Sequence, residues 1–128
     1  MKAEIKIAPP NSLMLVMDHG VGCPPESMFR ELVSSTPTCV AVGTRSEQDG
    51  ETHIVLTDES SCEAPLNSIL AFDGRIETSG GPVSIVDVLD RVLLSMNVSA
   101  DKVRVRVWVN DQTEPDDIRV VVGSDNKK

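Results

Sequence analysis

The stretch "KVRVRVWVN", residues 102 to 110, constrains the fold of this chain more than any other. Val103, Val105, Val107 and Val109 alternate without a fault with Lys102, Arg104, Arg106 and Trp108. A side-chain period of two belongs to an extended strand, whose successive Cβ atoms point to opposite faces. Four valines on one side require a second layer to bury them, and the cations and indole take the other side. "IRVVV", residues 118 to 122, supplies an antiparallel partner after the acidic connection Asn110 to Asp117. The expected architecture is mainly β: a single antiparallel β-sandwich or roll with one or two short helices over residues 1–123, then a flexible tail at 124–128. An α+β arrangement is the alternative.

The other segments fill in that picture. Lys2 to Ile7 alternates, Pro9-Pro10-Asn11 interrupts, and Leu13 to Met17 resumes as a more fully apolar run, which suggests two strands joined by a turn. "CVAVGTRSEQDGETHIVLTD", residues 39 to 58, reads as a hairpin whose connection holds the turn dipeptide Asp49-Gly50. Ile69 to Phe72 and Arg75 to Thr78 read as a second strand pair turning at "FDGR". "PPESMFRELVSS" has proline near its start and apolar residues at helical spacing, so a short helix is expected there. "VSIVDVLDRVLLSM", residues 83 to 96, is ambiguous. Ser84 and Asp87 have capping-box spacing and Ile85, Val88, Leu89, Val92 and Met96 share a helical face, whereas the β-branched content suits a strand; the reading leans to helix.

Composition narrows the function classes. A formal charge of −8 over 128 residues argues against nucleic acid, since the basic row Lys102, Arg104, Arg106 is short and acids follow it closely. Phe29, Phe72 and Trp108 are the whole aromatic complement, too few for a base-stacking platform. No apolar run approaches the roughly 18 residues a membrane span requires, and the charged N-terminal stretch has no apolar core of a secretory signal. A cytoplasmic protein is expected. Cys23, Cys39 and Cys62 are an odd set compatible with reduced thiols, and Cys39 opens an apolar run.

The residues that could carry chemistry gather in "MDHGVGCPPES", residues 17 to 27. Asp18, His19 and Cys23, completed by His53, are the candidate catalytic set: a thiol, an imidazole to activate it and an acid to orient the base. His19 and Cys23 are four apart, yet the glycines and prolines around them forbid the helix on which that spacing would align them. Asp18, His19 and Cys23 thus matter chemically when the fold delivers His53 or Cys62 to them. Gly80-Gly81 lacks the lysine and hydroxyl of a phosphate loop, and the 110–117 loop lacks the spaced ligands and terminal glutamate of a calcium loop. No metal and no cofactor are expected.

Arg104, Arg106 and Trp108 make the stronger candidate, as an interaction surface, because indole and guanidinium combine contact area with directional bonding. The order of elements, an acid- and proline-bearing loop, a hairpin, a strand ending near Phe72, the Gly80-Gly81 break, a Trp108-bearing strand and a terminal strand, resembles the small β-rich nuclease inhibitors of the competence-protein J type over most of residues 24–122. That resemblance implies a cytoplasmic protein that binds and restrains another protein. A non-enzymatic interaction, inhibitor or immunity-type role is therefore expected, with a protein partner of basic surface, or a second copy of the chain, and neither nucleic acid nor membrane. The alternative is a small enzyme or metal protein built on Asp18, His19, Cys23 and His53.

Overall fold

A computed structural model describes residues 2–26, 28, 31–58, 68–79, 82–98 and 100–124. Its strands are β1 (Lys2–Ile7), β2 (Leu13–Met17), β3 (Val33–Thr36), β4 (Cys39–Gly43), β5 (Thr52–Asp58), β6 (Ile69–Glu77), β7 (Val83–Asp87), β8 (Val92–Met96), β9 (Lys102–Val109) and β10 (Asp117–Ser124). They form two five-stranded sheets, the first ordered β1-β5-β10-β9-β6 and the second β3-β4-β2-β7-β8. The valine row of β9 is buried, as its alternation requires. It packs with Ile54, Leu56, Ile118 and Val120 of its own sheet against Met14, Val16, Val40, Val42, Val83 and Ile85 of the other. β9 and β10 form the expected antiparallel hairpin, Ile118 opposite Val109. One pair departs from an all-antiparallel plan: β10 runs parallel to β5, Ile118 opposite Ile54.

Several sequence expectations place strands correctly and pair them wrongly. β1 and β2 are not a hairpin: β1 edges the first sheet, while β2, buried from Met14 to Met17, lies in the middle of the second. Pro9 and a 3-10 turn at Pro10–Ser12, with positive φ at Asn11 (57°) and Ser12 (56°), carry the chain across. Likewise β4 belongs to the second sheet and β5 to the first. The Asp49-Gly50 dipeptide ends a 3-10 turn at Glu47–Asp49, capped by Ser46, that rounds a corner between sheets. "FDGR" is no turn either, because β6 runs straight through it. Gly74 is there to admit the Phe72 ring, whose Cζ would lie 2.7 Å from an added Cβ.

Residues 83–96 are a correction in kind, strand rather than helix: β7 and β8 are an antiparallel hairpin, Ser84 opposite Ser95. The spacing that read as a capping box serves a turn. The Asp87 carboxylate, its side chain fully buried, accepts the backbone N–H of Leu89 (2.9 Å) and Arg91 (3.0 Å) and the Arg91 Nε–H (2.7 Å), with Asp90 at φ 68°. In the segment expected to be helical from Pro24, Ser27, Phe29 and Arg30 lie outside the described residues. Pro24, Pro25, Glu26, Met28, Glu31 and Leu32 are not helical, and β3 follows. Both helical turns among the described residues are the three-residue 3-10 pieces.

A smaller apolar cluster, Leu15, Met17, Cys39, Ala41 and Val86, lies on the second sheet's outer face, with Met28 of the β2–β3 connection packed against it. Both sides of β2, β4 and β7 are therefore buried, which is why those strands read as continuous apolar runs rather than alternations.

Candidate functional site

β2 ends at Met17, and the next residue, Asp18, is buried at 3% exposure. Its Oδ1 accepts the Gly20 N–H (2.9 Å), while Oδ2 accepts both the N–H (2.9 Å) and the hydroxyl (2.6 Å) of Ser79, just beyond β6. Val21 and Gly22 N–H groups donate to its carbonyl at 3.0 and 2.8 Å. The carboxylate thus fixes the loop and ties it to the first sheet, which leaves it poorly placed to orient a base. Gly22 is required by close approach: an added Cβ would sit 2.6 Å from Met17 Cβ.

The other members of the set do not gather around it. His19 Nε2 lies 2.7 Å from Asp90 Oδ1 in the β7–β8 turn. Cys23 is exposed, its backbone held by Thr38 Oγ1 (2.9 Å, accepting) and Thr36 Oγ1 (2.7 Å, donating). His53 stands in the other sheet, its Nε2 2.7 Å from Glu4 Oε1 and its Nδ1 3.8 Å from Asp117 Oδ1. It opens β5 opposite Lys6, at the end where β1 hands over to β2, whereas Asp18 and His19 follow β2 at its far end, five residues or roughly 17 Å along the strand. Cys62 lies outside the described residues. Among the described residues no three His, Cys, Asp or Glu side chains are grouped to hold a metal ion. The two His53 nitrogens face carboxylates on opposite sides of the ring, a geometry that orders the imidazole without chelating an ion.

Cys39 is a core thiol. Burial, and secondarily the neighbouring Cys23, push its pKa up to about 12, so it is inert as a nucleophile. The acidic 110–117 loop uses its side chains on its own turn and on the neighbouring Arg45 and His53. Asp111 accepts from Thr113 N (3.0 Å), Thr113 Oγ1 (2.9 Å) and Glu114 N (2.8 Å), and the bonds from Glu114 and Thr113 hold its carboxyl below the ordinary range. Asn110 Nδ2 donates to Asp116 (2.7 Å), which also receives Arg45 (3.2 Å).

Arg104, Arg106 and Trp108 occupy the outer face of the first sheet, each half-buried, while the intervening valines face the core. The neighbours on that face come from β10, the partner expected from the sequence, and from β6, whose pairing the sequence did not disclose. Trp108 stands between Arg119 of β10 and Leu70 of β6, and Leu70 is 43% exposed. Arg106 stands between Val121 and Asp73, and Arg104 opposite Arg75. Asp73 grips Arg104 in a two-pronged bond, Nε to Oδ1 at 2.9 Å and Nη2 to Oδ2 at 2.7 Å. That bond, more than any other influence, lowers the Asp73 pKa. Arg119 was legible as an outward residue between Ile118 and Val120. Arg75 and Leu70 were hidden by the reading of "FDGR" as a turn.

No family model and no curated protein matches the chain in sequence. The fold, however, has solved counterparts. It is similar to ComJ of Bacillus subtilis, described as an inhibitor of the DNA degrading activity of NucA, with a TM-score of 0.64 at 10% identity over 97% of this chain and 95% of that one. It is also similar to the protein described as crocagin biosynthetic gene J, with a TM-score of 0.60 at 13% identity over 98% of each chain. The layout resemblance to the competence-protein J type thus holds at the level of the fold. Among the described residues no helix is long and apolar enough to cross a membrane.

Proposed function

We propose that this chain is a non-catalytic protein-binding domain of inhibitor type, engaging its partner through the outer face of the first sheet around Arg104, Arg106 and Trp108. One observation carries the reading. A single sheet row sets Trp108 between Arg119 and the exposed Leu70, with Arg106 in the next outward row and, two rows along, an Arg104 braced by Asp73. Indole, guanidinium and an exposed aliphatic group on a rigid sheet are the composition and setting of a binding hot spot, because little side-chain entropy remains to be lost on association. The likeness to ComJ supports the inhibitor class, since that protein is described as acting on another protein's activity.

The test is capture of the partner from the native host, followed by assay of the partner's own activity with and without the purified domain. Inhibition that disappears in the Arg106→Ala/Trp108→Ala double variant, folded by circular dichroism, is the expected result. A partner whose activity is untouched by the domain would sink the inhibitor role.

A further inference from the structure

The outer face of the second sheet carries an apolar row that its cover leaves incomplete. Ala41 of β4, Leu15 of β2, Val86 of β7 and Val92 of β8 stand opposite one another in register, so all four point to the same face. Leu15, Ala41 and Val86 are buried, and Val92 at the end of the row is 49% exposed. Beside the row lies a cavity of about 360 Å³, within the range of ordinary ligand pockets. Leu13, Leu15 and Ala41 line it from the sheet, Val88 from just past β7, and Glu26 and Met28 from the β2–β3 connection.

A protruding side chain stands next to that hollow. Leu89 follows Val88 in the β7–β8 turn and is 62% exposed, more than any other large apolar side chain among the described residues. The turn is fastened at both ends, because Asp87 accepts the N–H groups of Leu89 and Arg91 and the Arg91 Nε–H, and His19 holds Asp90 at 2.7 Å. Little backbone freedom is left to lose when the leucine docks. Charge follows the same arrangement. Arg91, two residues past the knob, gives its Nε to Asp87 yet keeps a side chain 57% exposed, while Glu26 in the hollow has no hydrogen bond or ion pair among the described residues. A knob with a cation and a hollow with an anion, adjacent on one patch, are what a two-fold contact needs, since each copy must give its partner what it receives.

We propose that this face joins two copies of the chain, Leu89 of each entering the cavity of the other and Arg91 of each meeting the other's Glu26, with Val92 covered alongside. An unrelated apolar ligand would fill the cavity and leave Leu89 and Val92 in water, whereas a second copy covers the whole patch. The inference stands apart from the partner surface around Arg106 and Trp108, which lies on the outer face of the other sheet and stays free in such a dimer.

Sedimentation equilibrium of the whole chain over a wide concentration range tests this, at about 0.15 M salt, where a Debye length of about 8 Å screens the repulsion between two chains of charge −8. A reversible monomer–dimer equilibrium is expected. It should weaken about tenfold or more in Leu89→Gln, which takes two leucines from the contact at once, and in Glu26→Lys, which sets a cation against Arg91. Both positions are exposed, and the melting temperature of each variant, taken at concentrations where the chain is monomeric, checks that the fold is intact. A chain that stays monomeric at millimolar concentration overturns the proposal. So does a dimer that either folded variant leaves unchanged, and so does an open series of larger oligomers, which marks a head-to-tail contact. A dimer broken by Arg106→Ala/Trp108→Ala instead places the contact on the first sheet and overturns it as well.

Discussion

Asp18 decides what the loop after β2 can do. Three donors, the N–H of Gly20 and both the N–H and O–H of Ser79, converge on its two oxygens in a nearly buried position. Removing the acceptor strands those donors, so Asp18→Ala is expected to cost about 1–3 kcal/mol, read as a lower urea midpoint. An unchanged midpoint would contradict the structural role. The thiols differ in the same residue-by-residue way. In a Cys62→Ser background, Cys23 is expected to react with a thiol reagent at pH 8 in the native state, and Cys39, with its pKa pushed to about 12 by burial, only on unfolding. Fast native labelling at both positions would show that the cover on the second sheet's outer face is loose. The sequence names all these side chains, yet it does not say that Asp18 faces Ser79, 61 residues away.

At the scale of the element, the β7–β8 hairpin shows where periodicity misleads. Ile85, Val88, Leu89, Val92 and Met96 suit a helical face as well as they suit a strand pair around a turn, and β-branched content was the better guide. What decides the matter is Asp87, whose carboxylate fastens the turn. Burial works to raise its pKa, but the bonds from Arg91 and Leu89 outweigh burial and leave it below the ordinary 3.8. A carboxyl depressed on folding contributes stability that is complete above pH 3.8 and is lost as pH falls through the native value. Asp87→Asn should therefore be less stable than wild type at pH 7, with the difference shrinking as unfolding is repeated toward pH 3. A difference constant across that range would mean the charge is not what holds the turn.

For the whole molecule, β9 was legible because one buried face and one outer face leave a period of two, whereas β2, β4 and β7 are buried on both faces and announce only that they are apolar. Beyond the β9–β10 hairpin, the expected strand partners were wrong. Short connections normally imply adjacent strands, but the corners at Pro10–Ser12 and Glu47–Asp49 switch sheets. For that reason the Arg104, Arg106 and Trp108 row, with Arg119 across the expected β9–β10 hairpin, could be read locally while Arg75 and Leu70, which complete it from β6, could not. The assembled face is the centre of the functional account, and the affinity of a partner captured from the native host for wild type and for Arg106→Ala/Trp108→Ala tests it most directly. Two hot-spot side chains lost together should weaken binding by about a hundredfold or more with the melting temperature nearly unchanged; equal affinity in a folded double variant would contradict the assignment of this face.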